Sequence, residues 1–514
     1  MSRKQRRSEQ SSKGMAAFVE AFNSGLAHQE AGRLEPAAKA YRRALGINSN
    51  VALLHSNYGV VLYDQGEHDQ SLVHLRRAIQ LDPELTVAHN NMGVTLNALG
   101  RYAEAIPSLK RAIEVDPTNA SAFNNLGDSY IKLSRFTAAG EVISHSLTLE
   151  PNNIQALNNM GSASWGMSRY DDAISYFRRV LALDPEIATA HKNLGIVSLL
   201  TKRYAEGWRE YEWRFKADKW LMRDHPTPMW SGEPLGDQAL YVWNEQGVGD
   251  QILYAGMMAD LIARNVRVVW EVDERLVSFM QRSYPAVKVV PHRDPPAAEI
   301  VAPNVGAQIP IAGLGKFFRN DISQFPLNRQ SYLVADAERR AAFRTRLGLS
   351  PGEKLVGLSW VSKNHLYGDS KSIKLSAWAD ILKTPGLRFV DLQYGETAAE
   401  RAEIERTLGI QIAHLEGLDL RDDLDGVAAL ADACDLVITV SNTTAHVAAA
   451  LGRPVWVMIP AGIGKFWYWG TSEPSAAWYP TAVLLRQPES QDWTPVLRDV
   501  AERLARFAAS SPQT

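Results

Sequence analysis

Over its first two hundred or so residues the chain repeats one pattern of apolar, polar and small positions every 34 residues. Asn-x-Gly recurs at Asn23/Gly25, Asn57/Gly59, Asn91/Gly93, Asn125/Gly127, Asn159/Gly161 and Asn193/Gly195. Twelve residues after each glycine stands a small residue (Ala37, Ser71, Ala105, Ala139, Ala173, Gly207), and seven further on Ala44, Ala78, Ala112, Ser146, Val180 and Arg214. Pro83, Pro117, Pro151 and Pro185 close four copies. A pattern held in phase every 34 residues predicts an array of stacked repeats, and proline at the end of a copy cannot continue a helix. The sixth copy departs from the pattern, with Arg214 at a small position and Trp208, Tyr211, Trp213 and Phe215 crowding its second half. A terminal repeat has a bare face, so these aromatics predict a docking seam with the rest of the chain.

From about Lys216 the period disappears, and Pro226, Pro228 and Pro234 mark a linker. Short apolar, β-branched runs then alternate with helical ones. Ala239–Asn244, Val266–Val272 and Val287–Pro291 predict one set of strands; Leu355–Trp360, Phe389–Gln393, Leu436–Val440, Val455–Ile459 and Ala482–Leu485 predict another. Strands separated by helices imply parallel, doubly wound sheets, here in two domains facing a cleft. The expected organisation is a basic, disordered tail (1–14), a six-repeat array (15–215), a linker (216–238) and two sheet domains (239–349 and 350–514).

Composition narrows the classes. At about 150 residues per domain, 514 residues allow about three domains, and 46% hydrophobic with 22% charged residues is an ordinary globular mixture. Lys plus Arg at 55 against Asp plus Glu at 57 leaves a formal charge of −2, so no global field points to nucleic acid or an acidic membrane. A single cysteine, Cys434, excludes an internal disulfide and a cysteine-held zinc, and fits a reducing cytoplasm. No run of apolar residues is long enough to span a bilayer.

Ligands of open α/β sheets sit beyond the carboxyl ends of strands, and three segments there carry chemistry. Glu245-Gln-Gly-Val-Gly-Asp250 follows the first strand; Asp250 is either a helix cap, which lowers its basicity, or a base facing the cleft. Ser441-Asn-Thr-Thr-Ala-His446 joins a strand to a helix whose free N–H groups suit a diphosphate, although Asn442, Thr443 and Thr444 also serve as caps. Lys363 and Lys371 lie in a polar segment able to neutralise a leaving diphosphate or to form a flexible loop. Asp423-Leu-Asp425 precedes an apolar helical run and reads as capping.

The repeat half resembles the tetratricopeptide repeat (TPR), whose first helices line a concave, peptide-sized surface. Its asparagines, Asn57, Asn91, Asn125, Asn159 and Asn193, are similar to the asparagine ladder of O-GlcNAc transferase; they either pair with an acceptor peptide backbone or bond between neighbouring repeats. The second half resembles GT-B glycosyltransferases of the heptosyltransferase type, and still more the TPR-linked bacterial protein glycosyltransferases that include flagellin glycosyltransferases. The strings are EQGVGDQILYAG, SKSIKLSAWADIL, LQYG, SNTTAHVAAALGRPVW, and WYWG with AWYP, in family order.

The resemblance implies an all-α TPR superhelix followed by a GT-B module of two α/β Rossmann-like domains. It places the catalytic base on Asp250, phosphate binding on Lys371, and the diphosphate site on Ser441, Asn442, Thr443, Thr444 and His446. Glu396, one residue short of the heptosyltransferase spacing, falls to the ribose hydroxyls. Heptosyltransferases usually carry aspartate at the place of Asn442, which disfavours a heptose donor here. The implied reaction is inverting transfer from a nucleotide-sugar, as substrate and without cofactor or metal, to Ser or Thr of a protein acceptor, with flagellin foremost and a cytidylyl-activated nonulosonic acid as a plausible donor. Full activity in excess chelator is expected. The competing readings are a heptosyltransferase-like enzyme of lipopolysaccharide or glycan assembly, and a non-catalytic TPR scaffold.

Overall fold

The computed structural model describes residues 3–218, 223, 225–350, 352–364, 368–488 and 490–510, with side chains from residue 13 on, Ile463 excepted. The chain forms two compact units, Met1–Glu186 and Ile187–Thr514.

The first unit is five antiparallel helix pairs: Arg3–Glu30 with Leu34–Ile47, Ala52–Asp64 with His68–Leu81, Thr86–Ala98 with Tyr102–Val115, Ala120–Lys132 with Phe136–Leu149, and Ile154–Gly166 with Tyr170–Leu183. The repeated glycine has a steric cause. A Cβ at Gly25, Gly59, Gly93, Gly127 or Gly161 would stand 2.3 to 2.9 Å from the side chain sixteen residues on, namely Tyr41, Leu75, Leu109, Ile143 or Phe177. Each of these five is buried. The first helix begins at Arg3, inside the stretch expected to be a disordered tail, of which only residues 1 and 2 lie outside the described residues. Arg, Lys, Gln and Glu are good helix formers, and here they extend the first helix of the first repeat.

The sixth pair, Ala188–Leu200 with Tyr204–Tyr211, belongs to the second unit, one repeat earlier than the expected boundary at 215. The expected seam explains the difference. The Trp208 indole N–H donates to the Arg319 carbonyl (2.8 Å), and its ring meets Trp467 edge-on at 5.4 Å. Phe215 packs on Trp243. The linker end runs beside the first sheet, where Trp230 N–H bonds to the Gln308 carbonyl and Gln308 N–H to that of Pro228.

Both sheets are wholly parallel. The first comprises β1 (Ala239–Trp243), β2 (Arg267–Val272), β3 (Lys288–Pro291) and β4 (Val305–Pro310), in the order β3-β2-β1-β4. The second comprises β5 (Lys354–Ser359), β6 (Leu387–Asp391), β7 (Ile412–Ala413), β8 (Leu436–Val440), β9 (Val455–Ile459) and β10 (Ala482–Arg486), in the order β10-β9-β8-β5-β6-β7. All eight expected strands are present, and β4 and β7 are additional. The strand order reverses between β1 and β4 and between β5 and β8, which are the crevices where such sheets bind ligands.

Candidate functional site

A cavity of about 470 Å³ opens beyond the carboxyl ends of both sheets, at β1 and β2 of the first and at the β5/β8 switch point of the second. Its wall comes from the turn after β1 (Gly247–Asp250), the segment after β5 (Ser362 to Asn364, and Lys371), the turns after β6 (Tyr394, Gly395) and β8 (Ser441–Thr444, His446), and Phe466 and Tyr468 after β9. Asp250, Lys371, Ser441, Asn442, Thr443, Thr444 and His446, drawn from three distant segments, are thus brought together.

Asp250 is the third residue of the helix Val248–Ala255, and its Oδ2 accepts the Gly247 N–H (3.2 Å). The helix terminus was expected to lower its basicity. Instead burial dominates: it pushes the carboxyl up to about 6, with Glu245 adding to the rise and the Gly247 N–H and Lys371 opposing it. Lys371 is 1% exposed, its ammonium 3.4 Å from the centroid of the Phe466 ring. Burial pulls it down to about 7, against the upward pull of Asp250. His446 sits one turn into the helix Thr443–Ala450, among Tyr468, Trp469 and Tyr479, with Nδ1 2.9 Å from the Tyr479 hydroxyl. Burial first, and Lys371 second, hold the imidazole down to about 3, so it is neutral at pH 7. Donation to a phosphate therefore requires its proton on Nε2, with Tyr479 donating to Nδ1.

The turn after β8 divides into anchors and open positions. The Asn442 amide donates to Ser359 Oγ (2.8 Å) and the Val361 carbonyl (3.1 Å), while its Oδ1 accepts from Thr439 Oγ1 (3.0 Å) and Ala445 N–H (3.4 Å). It stitches β8 to β5 and caps the helix; this is the capping alternative, and it commits both ends of the amide to the protein. Ser441 Oγ accepts the Trp469 indole N–H (2.9 Å), and Thr444 is buried beside Ser359. Thr443 is half-buried at the cavity wall.

Glu396 is not brought to the site. It is exposed, and the wall there is made by Tyr394 and Gly395. Gly395 has φ +92°, a left-handed conformation that favours glycine, and a Cβ on it would stand 2.5 Å from the Lys363 ammonium, so the turn brings this lysine close to the backbone. Sequence reasoning missed Arg275, Arg421, Tyr394, Phe466 and Tyr468. Arg275 is held by Asp273 (2.8 and 2.9 Å) and donates to the Arg421 carbonyl (3.1 Å). Tyr394 and Tyr468 lie inside the LQYG and WYWG strings, whereas no motif marks Arg275, Arg421 and Phe466; their place after β2, β7 and β9 was the available signal. Among the described residues the wall carries Arg275, Lys363, Lys371 and Arg421 against one carboxylate, Asp250. This is an anion-binding composition with one carboxylate base.

Asp423 caps its helix through the Gly426 N–H (2.8 Å) and pairs with Arg339, and Asp425 pairs with Arg282 (2.7 and 2.6 Å). Both are engaged as cap and ion pairs. The asparagine ladder is half-buried throughout. Asn125 Nδ2 donates to Asn90 Oδ1 (2.9 Å) and Asn159 Nδ2 to Asn124 Oδ1 (3.0 Å), so these two bond between repeats.

Family models described as TPR repeat match residues 59–99 and 95–134, and models described as tetratricopeptide repeat match 21–51, 120–153 and 158–211. Protein FlbA of Caulobacter vibrioides is 32% identical over 345 residues, 61% of this chain and 54% of FlbA. The chain thus spans about half the length of that curated relative, and the match is longer than the repeat array. Similar solved structures include MamA of Desulfovibrio magneticus RS-1 (20% identity, 33% of this chain and 97% of that one, TM-score 0.30) and Pseudomonas aeruginosa pilF (24%, 40% and 99%, TM-score 0.34). No helix among the described residues is long and apolar enough to cross a membrane. The chain contains tetratricopeptide repeats, followed by a region of parallel α/β sheets.

Proposed function

We propose that the chain is a protein O-glycosyltransferase that moves a sugar from a nucleotide-activated donor to Ser or Thr of a protein acceptor, flagellin by the family resemblance, with the repeats engaging that acceptor. The observation that carries this reading is the pairing of Asp250 with a cationic wall beyond the carboxyl ends of two parallel sheets. A carboxyl pushed up to about 6 is a stronger base than an ordinary aspartate yet mostly ionised at pH 7, which suits deprotonation of an acceptor hydroxyl. As the hydroxyl oxygen attacks the anomeric carbon, the bond to the leaving phosphate breaks and negative charge grows there. Lys371, Lys363, Arg275, Arg421 and the N-terminus of the helix at Thr443 are placed to stabilise it. The FlbA match is longer than the repeat array and therefore takes in residues of the sheet region.

The test is the intact mass of flagellin coexpressed with this protein and a sugar-nucleotide pathway. A sugar-sized increment that disappears with Asp250→Ala is expected. Unmodified flagellin beside the wild type, or an increment that survives the substitution, would overturn the proposal.

A further inference from the structure

Five of the six repeats place Ala, Ser or Val where the sixth has Arg214, and this arginine is among the most deeply buried side chains of the protein, 1% exposed. Its Nε and Nη2 donate to the two carboxylate oxygens of Glu245 (2.7 and 2.9 Å), its Nη1 to the Tyr211 carbonyl (3.0 Å), and its plane lies against the Tyr211 and Phe215 rings. Glu245 also accepts the Ala312 N–H (3.0 Å). Burying such a pair carries a desolvation cost that attraction must offset, and an apolar pair would seal a domain seam as well. What the ion pair adds is direction.

Glu245 is where the chain leaves β1. The next residue, Gln246, takes a left-handed conformation (φ +61°) and donates its side-chain amide to the Tyr211 hydroxyl (2.5 Å). Gly247 follows, and its N–H holds Asp250. We infer that the last repeat is part of the reaction centre, with Arg214 and Tyr211 as positioning residues that aim the Glu245–Asp250 turn, and that acceptor-binding repeats therefore end on the element that sets the base. The inference rests on the proposed role of Asp250. Arg214 also offsets the Glu245 charge, which faces Asp250 together with Lys371, Tyr211, Tyr254, Tyr468 and Tyr479.

The test uses the purified full chain, unmodified flagellin and a filtered small-molecule extract of cells carrying the sugar pathway, with transfer rates read by intact mass from pH 5 to 8. Arg214→Met is expected to lower kcat about tenfold or more with little change in KM for flagellin, and to move the acid limb to higher pH because Glu245 loses its counter-charge. Adding Glu245→Gln should return the limb toward its original place without restoring kcat. Tyr211→Phe keeps the ion pair and removes one hydroxyl; a several-fold fall in kcat is expected, and it decides the matter should Arg214→Met not fold. A folded Arg214→Met with native kcat and acid limb, or a native rate for Tyr211→Phe where that variant decides, overturns the inference. Asp250→Asn runs alongside: if it is active, or if the wild type transfers nothing, the functional proposal fails and takes this inference with it. If it is inactive beside a native-like Arg214→Met, only this inference fails.

Discussion

Binding of inorganic pyrophosphate in the cavity is expected to draw a proton onto Lys371. Burial lowers this lysine from 10.5 to about 7, a displacement worth about 5 kcal/mol between its charged and neutral forms. At pH 7 about half the free molecules therefore carry it uncharged. An anion against Nζ supplies the counter-charge that burial withholds and lifts the lysine well clear of neutrality. The uptake belonging to this group is then about 0.1 proton at pH 6, about 0.5 at pH 7 and about 0.9 at pH 8. Calorimetric titration in buffers of different ionisation enthalpy measures the protons. Lys371→Met, unbranched and uncharged, subtracts those exchanged by pyrophosphate itself. The sign extends to stability: a lysine depressed in the folded state is protonated at a cost, so its contribution to stability rises with pH from about 7 to 10.5, and pyrophosphate removes that dependence. Equal uptake by wild type and Lys371→Met, or equal affinity, would refute the placement of an anion at this lysine.

Transfer activity should fall as pH drops through about 6, where Asp250 takes up its proton, and Asp250→Glu should move that limb; a rate flat from pH 5 to 7 would count against a carboxylate base. Gly249→Ala places a Cβ 2.9 Å from His446 Cδ2, in a ring cluster with no room to give, and should cost about 1–3 kcal/mol in denaturant unfolding. Gly247→Ala, whose Cβ would meet nothing nearer than Asp250 Oδ2 at 3.5 Å, should be close to neutral, and equal costs for the two would refute the close approach. Changing Asn91, Asn125 and Asn159 together to Ala should weaken acceptor binding; the pairings to Asn90 and Asn124 add a stability loss of about 1 kcal/mol for each of the latter two. Unchanged acceptor affinity would leave the ladder a purely structural feature.

The repeats were legible because their cause is local and recurs: one glycine faces one large side chain sixteen residues later, five times in phase in the first unit. The strands were legible where β-branched runs were long. β7, two residues at a sheet edge, offers too little pattern to register, and β4 (Val305–Pro310) carries Gly306 and Gln308 within its run. Asp250, Lys371 and the Ser441–His446 turn were found because sheet topology predicts where strands end.

Three things could not be read along the chain, since each depends on residues that only folding brings together. The basicity of Asp250 is set by burial overriding its helix terminus. Asn442 is committed to Ser359 and Val361, more than eighty positions earlier, and Arg214 to Glu245 on another element. The sequence by itself determined the periodic helices, the parallel strands and the segments that end at the cleft, because backbone periodicity and local sterics act between near neighbours. Only the tertiary structure decided which of those segments meet, what charge each group carries there, and that the last repeat belongs with the sheets. Desolvation and ion pairing arise between residues that the chain brings together only after it folds.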